Sequence, residues 1–147
     1  MSVQARCPMT VGEQLPAWEL PVTPTLVVST ALATRDFQDV HHDRDLAVQR
    51  GSKDIFLNIL TTTGLVQRYV TDWAGPAALV RSIAIRLGAP AYPGDTLTFT
   101  GFVRERVDVE GEERHVIVVR GANSLGDHVT GTVAVAVRAA VSGEPAS

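Results

Sequence analysis

After Pro76 the chain alternates and before it does not, and this change of rhythm constrains the fold more than any other feature. Ile83, Ile85 and Leu87 alternate with Ser82, Ala84 and Arg86. Beyond a Pro93-Gly94-Asp95 turn, Leu97, Phe99 and Val103 alternate with Thr96, Thr98 and Thr100. Val116 and Val118 continue the pattern past Glu110-Gly111, and Val129, Val133, Val135 and Val137 complete it past Leu125-Gly126-Asp127. A period of two places successive side chains on opposite faces of a strand. The second half of the chain therefore predicts four antiparallel strands sharing one apolar face.

The first half follows other rules. Residues 1–15 are polar and irregular, which predicts a loose arm. Residues 18–30 are rich in Val, Leu and Thr but interrupted by Pro21 and Pro24, the pattern of an edge strand, where a missing N–H does no harm. Ser29 or Thr30 is expected to cap a short helix over 31–37, and Asp43 a second one that runs through Gln49 and stops at Gly51. Asp54 is expected to open a longer helix over 55–73, apolar on most sides and so buried on most sides, which Gly75-Pro76 ends. Residues 141–147 read as a polar tail. A sheet with one apolar face and an apolar helix bury each other best when the sheet wraps around the helix. The expectation is one α+β domain over 1–147 with the hot-dog architecture. Its open sheet edges and exposed helix end predict a dimer.

Composition narrows the function classes. The 147 residues suit one domain, and a formal net charge of -3 argues against a general nucleic-acid binder, which needs a basic face for phosphates. The one cysteine, Cys7, permits no internal disulfide and fits a cytoplasmic setting. The N-terminal residues lack the apolar core of a signal peptide. The uncharged run 55–67 is too short to span a bilayer and carries Asn58 and three threonines, so no membrane span is expected.

Chemistry concentrates between Arg35 and Ala47, where Asp36, Asp39, His41, His42 and Asp43 fall within eight residues, ahead of the long helix. With Asp36 at the end of one helix and His41 after a non-helical bend, the two side chains can converge on one point. A carboxylate and an imidazole sharing a water can withdraw and deliver protons near neutral pH. Hydration of an activated alkene needs that pair. It also needs a donor for the carbonyl oxygen that gains charge, and the free N–H groups at a helix start supply one.

This segment resembles the signature of the MaoC-like enoyl-CoA hydratases, Asp-x-Asn-Pro-x-His-x-Asp with an alanine four residues later. Asp36, His41, Asp43 and Ala47 have that spacing, and Gln38-Asp39 stands where the family has Asn-Pro. The resemblance implies that Asp36 and His41 activate the water, which adds to the β-carbon while a proton goes to the α-carbon. It selects His41 over His42 by offset. The family's oxyanion-forming His-Gly falls, by counting from His41, on Asn58 and Ile59, so the Ile59 N–H is the implied donor, with Asn58 beside it on the substrate side.

A longer resemblance, over roughly residues 10–140, is to the small MaoC-like subunits of actinobacterial steroid side-chain hydratases. It is carried by 29–43, by Gly51-Ser52-Lys53-Asp54-Ile55-Phe56, by 63–76 and by Leu125-Gly126-Asp127-His128. It implies a steroid enoyl-CoA substrate with a short side chain, with CoA as part of the substrate and no separate cofactor. It also implies a second MaoC-like subunit, without a working pair, in a heterodimer or heterotetramer.

Other residues have plainer readings. Asp43 is expected as a helix cap, Asp45 in a first turn, and His42 without a role. A metal site from Asp36, Asp39, His41 and Asp43 would be hard to order around one ion and is not expected. Among Arg68, Arg81 and Arg86, Arg86 alternates outward on a strand and is the expected contact to the CoA phosphates. Tyr69 and Trp73 read as core or interface, and His115, His128 and Cys7 as structural or surface residues. Two other functions compete on the same scaffold: a hot-dog acyl-CoA thioesterase, and a non-catalytic subunit that only completes another protein's pocket.

Overall fold

The fold is known from a computed structural model that describes residues 9–138; Cys7 and the 141–147 tail lie outside the described residues. Five antiparallel strands form one sheet: β1 (Gln14–Pro21), β2 (Ala78–Leu87), β3 (Thr96–Val109), β4 (Glu112–Asn123) and β5 (Gly126–Val137), in spatial order β1-β3-β4-β5-β2. Helices α1 (Pro24–Ala33), α2 (Arg44–Gln49) and α3 (Ile59–Ala74) lie between β1 and β2 in sequence, with a 3₁₀ turn at Asp39–His41. The core joins one face of the sheet to α3. Leu97, Phe99 and Val103, Ile117 and Val119, and Val129, Val133 and Val135 pack with Leu65, Val66, Tyr69 and Val70. Among the described residues no helix is long and apolar enough to cross a membrane.

The α+β hot-dog arrangement expected from the sequence is the one found, and four local readings change. First, β1 begins at Gln14 and ends at Pro21, and residues 24–33 are helical rather than extended. Thr23 accepts the Leu26 N–H at 3.0 Å and Pro24 occupies the first turn, a strong helix start that outweighs the β-branched composition behind it. Thr30 fits this helix by donating its hydroxyl to Leu26 O at 2.6 Å. As expected of a proline-bearing strand, β1 is at an edge, and its register breaks between Leu15 and Trp18, around Pro16. Residues 9–13 are held to β3, since Gly12 N donates to Val103 O (2.7 Å) and Val103 N to Glu13 O (2.9 Å).

Second, the helix expected over 31–37 is the last turn of α1, which ends at Ala33. Third, the long helix starts at Ile59, capped by Asn58, and not at Ile55. Phe56 N donates to Val40 O and Leu57 N to Ala91 O, so this stretch gives its backbone donors to neighbouring segments. Helix α3 buries one face; Ile59 and Leu60 are 51% and 53% exposed. Fourth, β4 turns the other parity inward: His115, Ile117, Val119 and Gly121 are buried, while Val116 and Val118 are half-buried. Residues 116–119 are apolar at both parities, so their alternation alone cannot choose a face.

His128 joins these layers. Its Nδ1–H donates to Ala89 O (2.7 Å), which leaves Nε2 to accept from the Thr62 hydroxyl of α3 (2.8 Å). It is 2% exposed, and burial holds its imidazole below the ordinary 6.5, the Ala89 carbonyl offsetting this in part. In the unfolded chain the ring is protonated at about 6.5, and in the fold only at lower pH. Between the two, the unfolded chain binds more protons, so stability present above about pH 6.5 drains away as the pH falls. The thermal midpoint should fall on acidification through this window, and less steeply in a His128→Asn variant. Equal slopes would remove His128 from the account.

Candidate active site

The candidate site is assembled between the end of α1 and the start of α3. Helix α1 closes in a Schellman motif: Arg35 N donates to Leu32 O (3.0 Å) and Asp36 N to Ala31 O (2.9 Å). Arg35 sits in the left-handed region at φ 57°, where glycine is usual. The motif reverses the chain just before Asp36 and so aims its carboxylate. Arg35→Gly should preserve that path and raise stability by about 0.5–1 kcal/mol, readable as a higher thermal midpoint with unchanged kcat. A lower midpoint would show that the Arg35 side chain matters for packing.

Beyond Asp36 the 3₁₀ turn at Asp39–His41 carries His41 inward and leaves His42 exposed. Asp39 pairs with Arg50 through Oδ1 at 2.6 Å and Oδ2 at 2.7 Å, tying the turn to the end of α2. The guanidinium holds the Asp39 carboxyl below its ordinary range. This ion pair stands where the family signature has a proline. Asp43 accepts the Leu46 N–H at 3.0 Å, as expected of the α2 cap. With Asp39 and Asp43 so engaged, no group of three or more His, Cys, Asp or Glu among the described residues is placed to hold a metal ion.

His41 is 6% exposed. Its Nδ1 lies 2.7 Å from Phe56 O, an acceptor only, so Nδ1 carries a proton and Nε2 is the nitrogen left to serve as a base. That Nε2 lies 3.4 Å from Asp36 Oδ2, longer than a well-formed N–H···O bond. The Phe56 ring meets the imidazole edge-on, with centroids 4.9 Å apart at 81°, and Tyr92 backs Phe56 in turn at 6.4 Å. One residue thus orients the histidine through both its carbonyl and its ring. Asp36 Oδ1 accepts weakly from Gln38 N (3.4 Å), and Oδ2 accepts from Asn58 Nδ2 (3.1 Å).

The other expected residues divide. Ile59 is the first residue of α3, and its N–H and that of Leu60 find no acceptor among the described residues, while the Thr61 N–H is taken by Asn58 Oδ1 at 3.0 Å. Asn58 is 2% exposed, with both its oxygen and its nitrogen engaged by protein groups. Arg86 is exposed on β2, at the sheet edge opposite β1, and shares no hydrogen bond or ion pair with Asp36 or His41. Arg68 lies over the Trp18 ring at 5.1 Å and near Asp72, and Arg81 grips Glu112. Sequence reasoning missed Phe56 and Thr34. A carbonyl acceptor leaves no signal in residue type, and Thr34 looks like any helix-end threonine.

Comparison with known proteins gives the family. Residues 7–124 match the MaoC like domain family. Over 128 residues the chain is 61% identical to the 3-oxo-4,17-pregnadiene-20-carboxyl-CoA hydratase beta subunit of Mycobacterium tuberculosis (strain ATCC 25618 / H37Rv), covering 87% of this chain and 96% of that one. Its fold matches a chain of the ChsH1-ChsH2 complex from Mycobacterium tuberculosis with a TM-score of 0.82 at 61% identity, over 88% of this chain and 98% of that chain. The (R)-hydratase from A. caviae involved in PHA biosynthesis matches with a TM-score of 0.75 at 17% identity, over 90% and 100% of the two chains, a likeness of fold alone. The chain belongs to the MaoC-like domain family and carries its hot-dog fold.

Proposed function

We propose that this chain is the hydratase-type subunit of a heteromeric enoyl-CoA hydratase, with Asp36 and His41 as its proton-transfer pair. One observation carries the reading: Phe56 O fixes the His41 tautomer so that Nε2 faces Asp36 Oδ2 across 3.4 Å. Two acceptors so placed suit a water that donates one hydrogen to each and turns its lone pairs toward a substrate. As the water oxygen bonds the β-carbon, His41 Nε2 takes one proton and charge passes to the thioester oxygen. The Ile59 N–H at the start of α3 is the donor proposed to stabilise that oxygen. The pair then returns a proton to the α-carbon, so one water is added and the enzyme is restored. No cofactor is needed beyond the CoA that the substrate carries, and Arg86 on β2 is the residue proposed to meet its phosphates.

The substrate class follows from the relative that is 61% identical, a hydratase of a steroid carboxyl-CoA. A second MaoC-like subunit is proposed to close the pocket; in support, the chain that this one matches belongs to a two-component complex. Leu32, Phe37, Ile59 and Leu60 are 49–64% exposed on the segments that carry the pair, apolar surface that a partner would cover. The test is an assay of the chain co-purified with that subunit on 3-oxo-4,17-pregnadiene-20-carboxyl-CoA. Enoyl-thioester absorbance should fall without release of free thiol. Thiol release at the same rate would mark a thioesterase, and full activity in an Asp36→Asn variant would reduce the chain to a scaffold.

A further inference from the structure

Asn58 is the most constrained polar residue near the candidate pair. Its nitrogen has two hydrogens and both are used: Nδ2 donates to Thr34 Oγ1 at 2.8 Å and to Asp36 Oδ2 at 3.1 Å. Its oxygen accepts the Thr61 N–H at 3.0 Å. The amide therefore has one sensible orientation, since reversing it would set oxygen against the carboxylate and nitrogen against an N–H. Thr34 fixes the other end. Its hydroxyl donates to Thr30 O at 2.8 Å, within α1, and so offers Asn58 a lone pair. The chain of bonds runs from the last turn of α1, through Thr34 and Asn58, to the first turn of α3, with Asp36 Oδ2 as a branch. That oxygen is also the one that faces His41 Nε2.

We propose that Asn58 is a positioning residue, not a substrate contact: one amide sets the Asp36 carboxylate against His41 and caps the helix whose first N–H meets the substrate oxygen. The inference rests on the proton-transfer reading of Asp36 and His41. Its physical content is that the carboxylate and the N–H donor cannot move independently, because the same planar group holds both. A cap alone requires only an oxygen, and serine or aspartate supplies one as well as asparagine does. What only the amide supplies is a neutral N–H donor at the carboxylate.

The test uses the full chain in complex with its second subunit and the same steroid enoyl-CoA. Asn58→Ser retains a capping oxygen and removes the donor. It should lower kcat about 10–100-fold, with KM within about threefold. Thr34→Val should lower kcat by less at unchanged KM, and the double variant should be no worse than Asn58→Ser, because Thr34 acts through Asn58. If Asn58→Ser fails to fold, Asn58→Asp keeps the shape and the cap and places a second carboxylate against Asp36, and its kcat at neutral pH should drop at least tenfold. A kcat within twofold of the parent in Asn58→Ser, while Asp36→Asn is inactive, overturns the positioning role alone. Full activity in Asp36→Asn overturns the underlying reading and this inference with it.

Discussion

His41→Ala should lower kcat by about 10²–10⁴-fold while the protein stays folded. The imidazole presents its Nε2 to Asp36 Oδ2 at 3.4 Å, and its Nδ1 proton is held by Phe56 O at 2.7 Å. Removing it leaves the carboxylate in place but without a partner across the water. It also leaves the Phe56 carbonyl without its donor, at a stability cost of about 1–3 kcal/mol. Circular dichroism and a thermal midpoint would verify folding before rates are compared. Because Asp36 and His41 act on one water, Asp36→Asn with His41→Ala should be little worse than either alone. A loss below tenfold, or additive losses, would count against a shared water.

The largest effect on stability is expected at Gly131, far from any chemistry. Gly131 pairs with Val119 on one side and Ile85 on the other, in the middle of β5. A Cβ there would stand 2.2 Å from Ala84 O and 3.0 Å from Ile85 Cα. Both are backbone atoms of β2, so no rotamer change relieves the clash and the strands must part. Gly131→Ala should cost about 3 kcal/mol, or roughly 10 °C in thermal midpoint. The damage falls on β2, an edge strand held to the sheet by β5 alone, which packs against α3 on its other side. Amide exchange in β2 should quicken more than in β3 or β4. A midpoint within about 2 °C of the parent would mean that β2 can slide without loss.

Much of this was legible before any coordinates. The period of two beyond Pro76 marked the strands, and Glu110-Gly111 turned where expected, both residues at positive φ. Asp36 and His41 were legible because their spacing is a pattern of residue types. Other features carry no such pattern. Thr23-Pro24 starts a helix inside a run of β-formers, and only the cap chemistry at its head distinguishes the two states. The start of α3 shifted from Ile55 to Ile59 because Phe56 and Leu57 bond to Val40 and Ala91, contacts 16 and 34 residues away. The face of β4 is set by its pairing with β3 and β5, since residues 116–119 are apolar whichever way they turn. Asn58 was placed by counting, but that it reaches Asp36 and Thr34, more than twenty residues upstream, is a fact of the folded chain.

The segment between α1 and α3 is fastened differently from the sheet. Each strand of the sheet is zipped to a neighbour over many residues, whereas residues 34–58 are anchored by the buried Ala47, Ile55 and Leu57 and by the Leu57 N–Ala91 O bond, and are closed on themselves by Phe56–Val40 and the exposed Asp39–Arg50 and Arg44–Asp54 pairs. Exposed ion pairs hold weakly, and scattered backbone bonds do not make a cooperative ladder. The molecule should therefore have two melting events in place of one. Under mild denaturant or raised salt the segment bearing the proton-transfer pair opens first, silencing the chain while the strands remain intact, and withdrawal of the stress restores it without refolding.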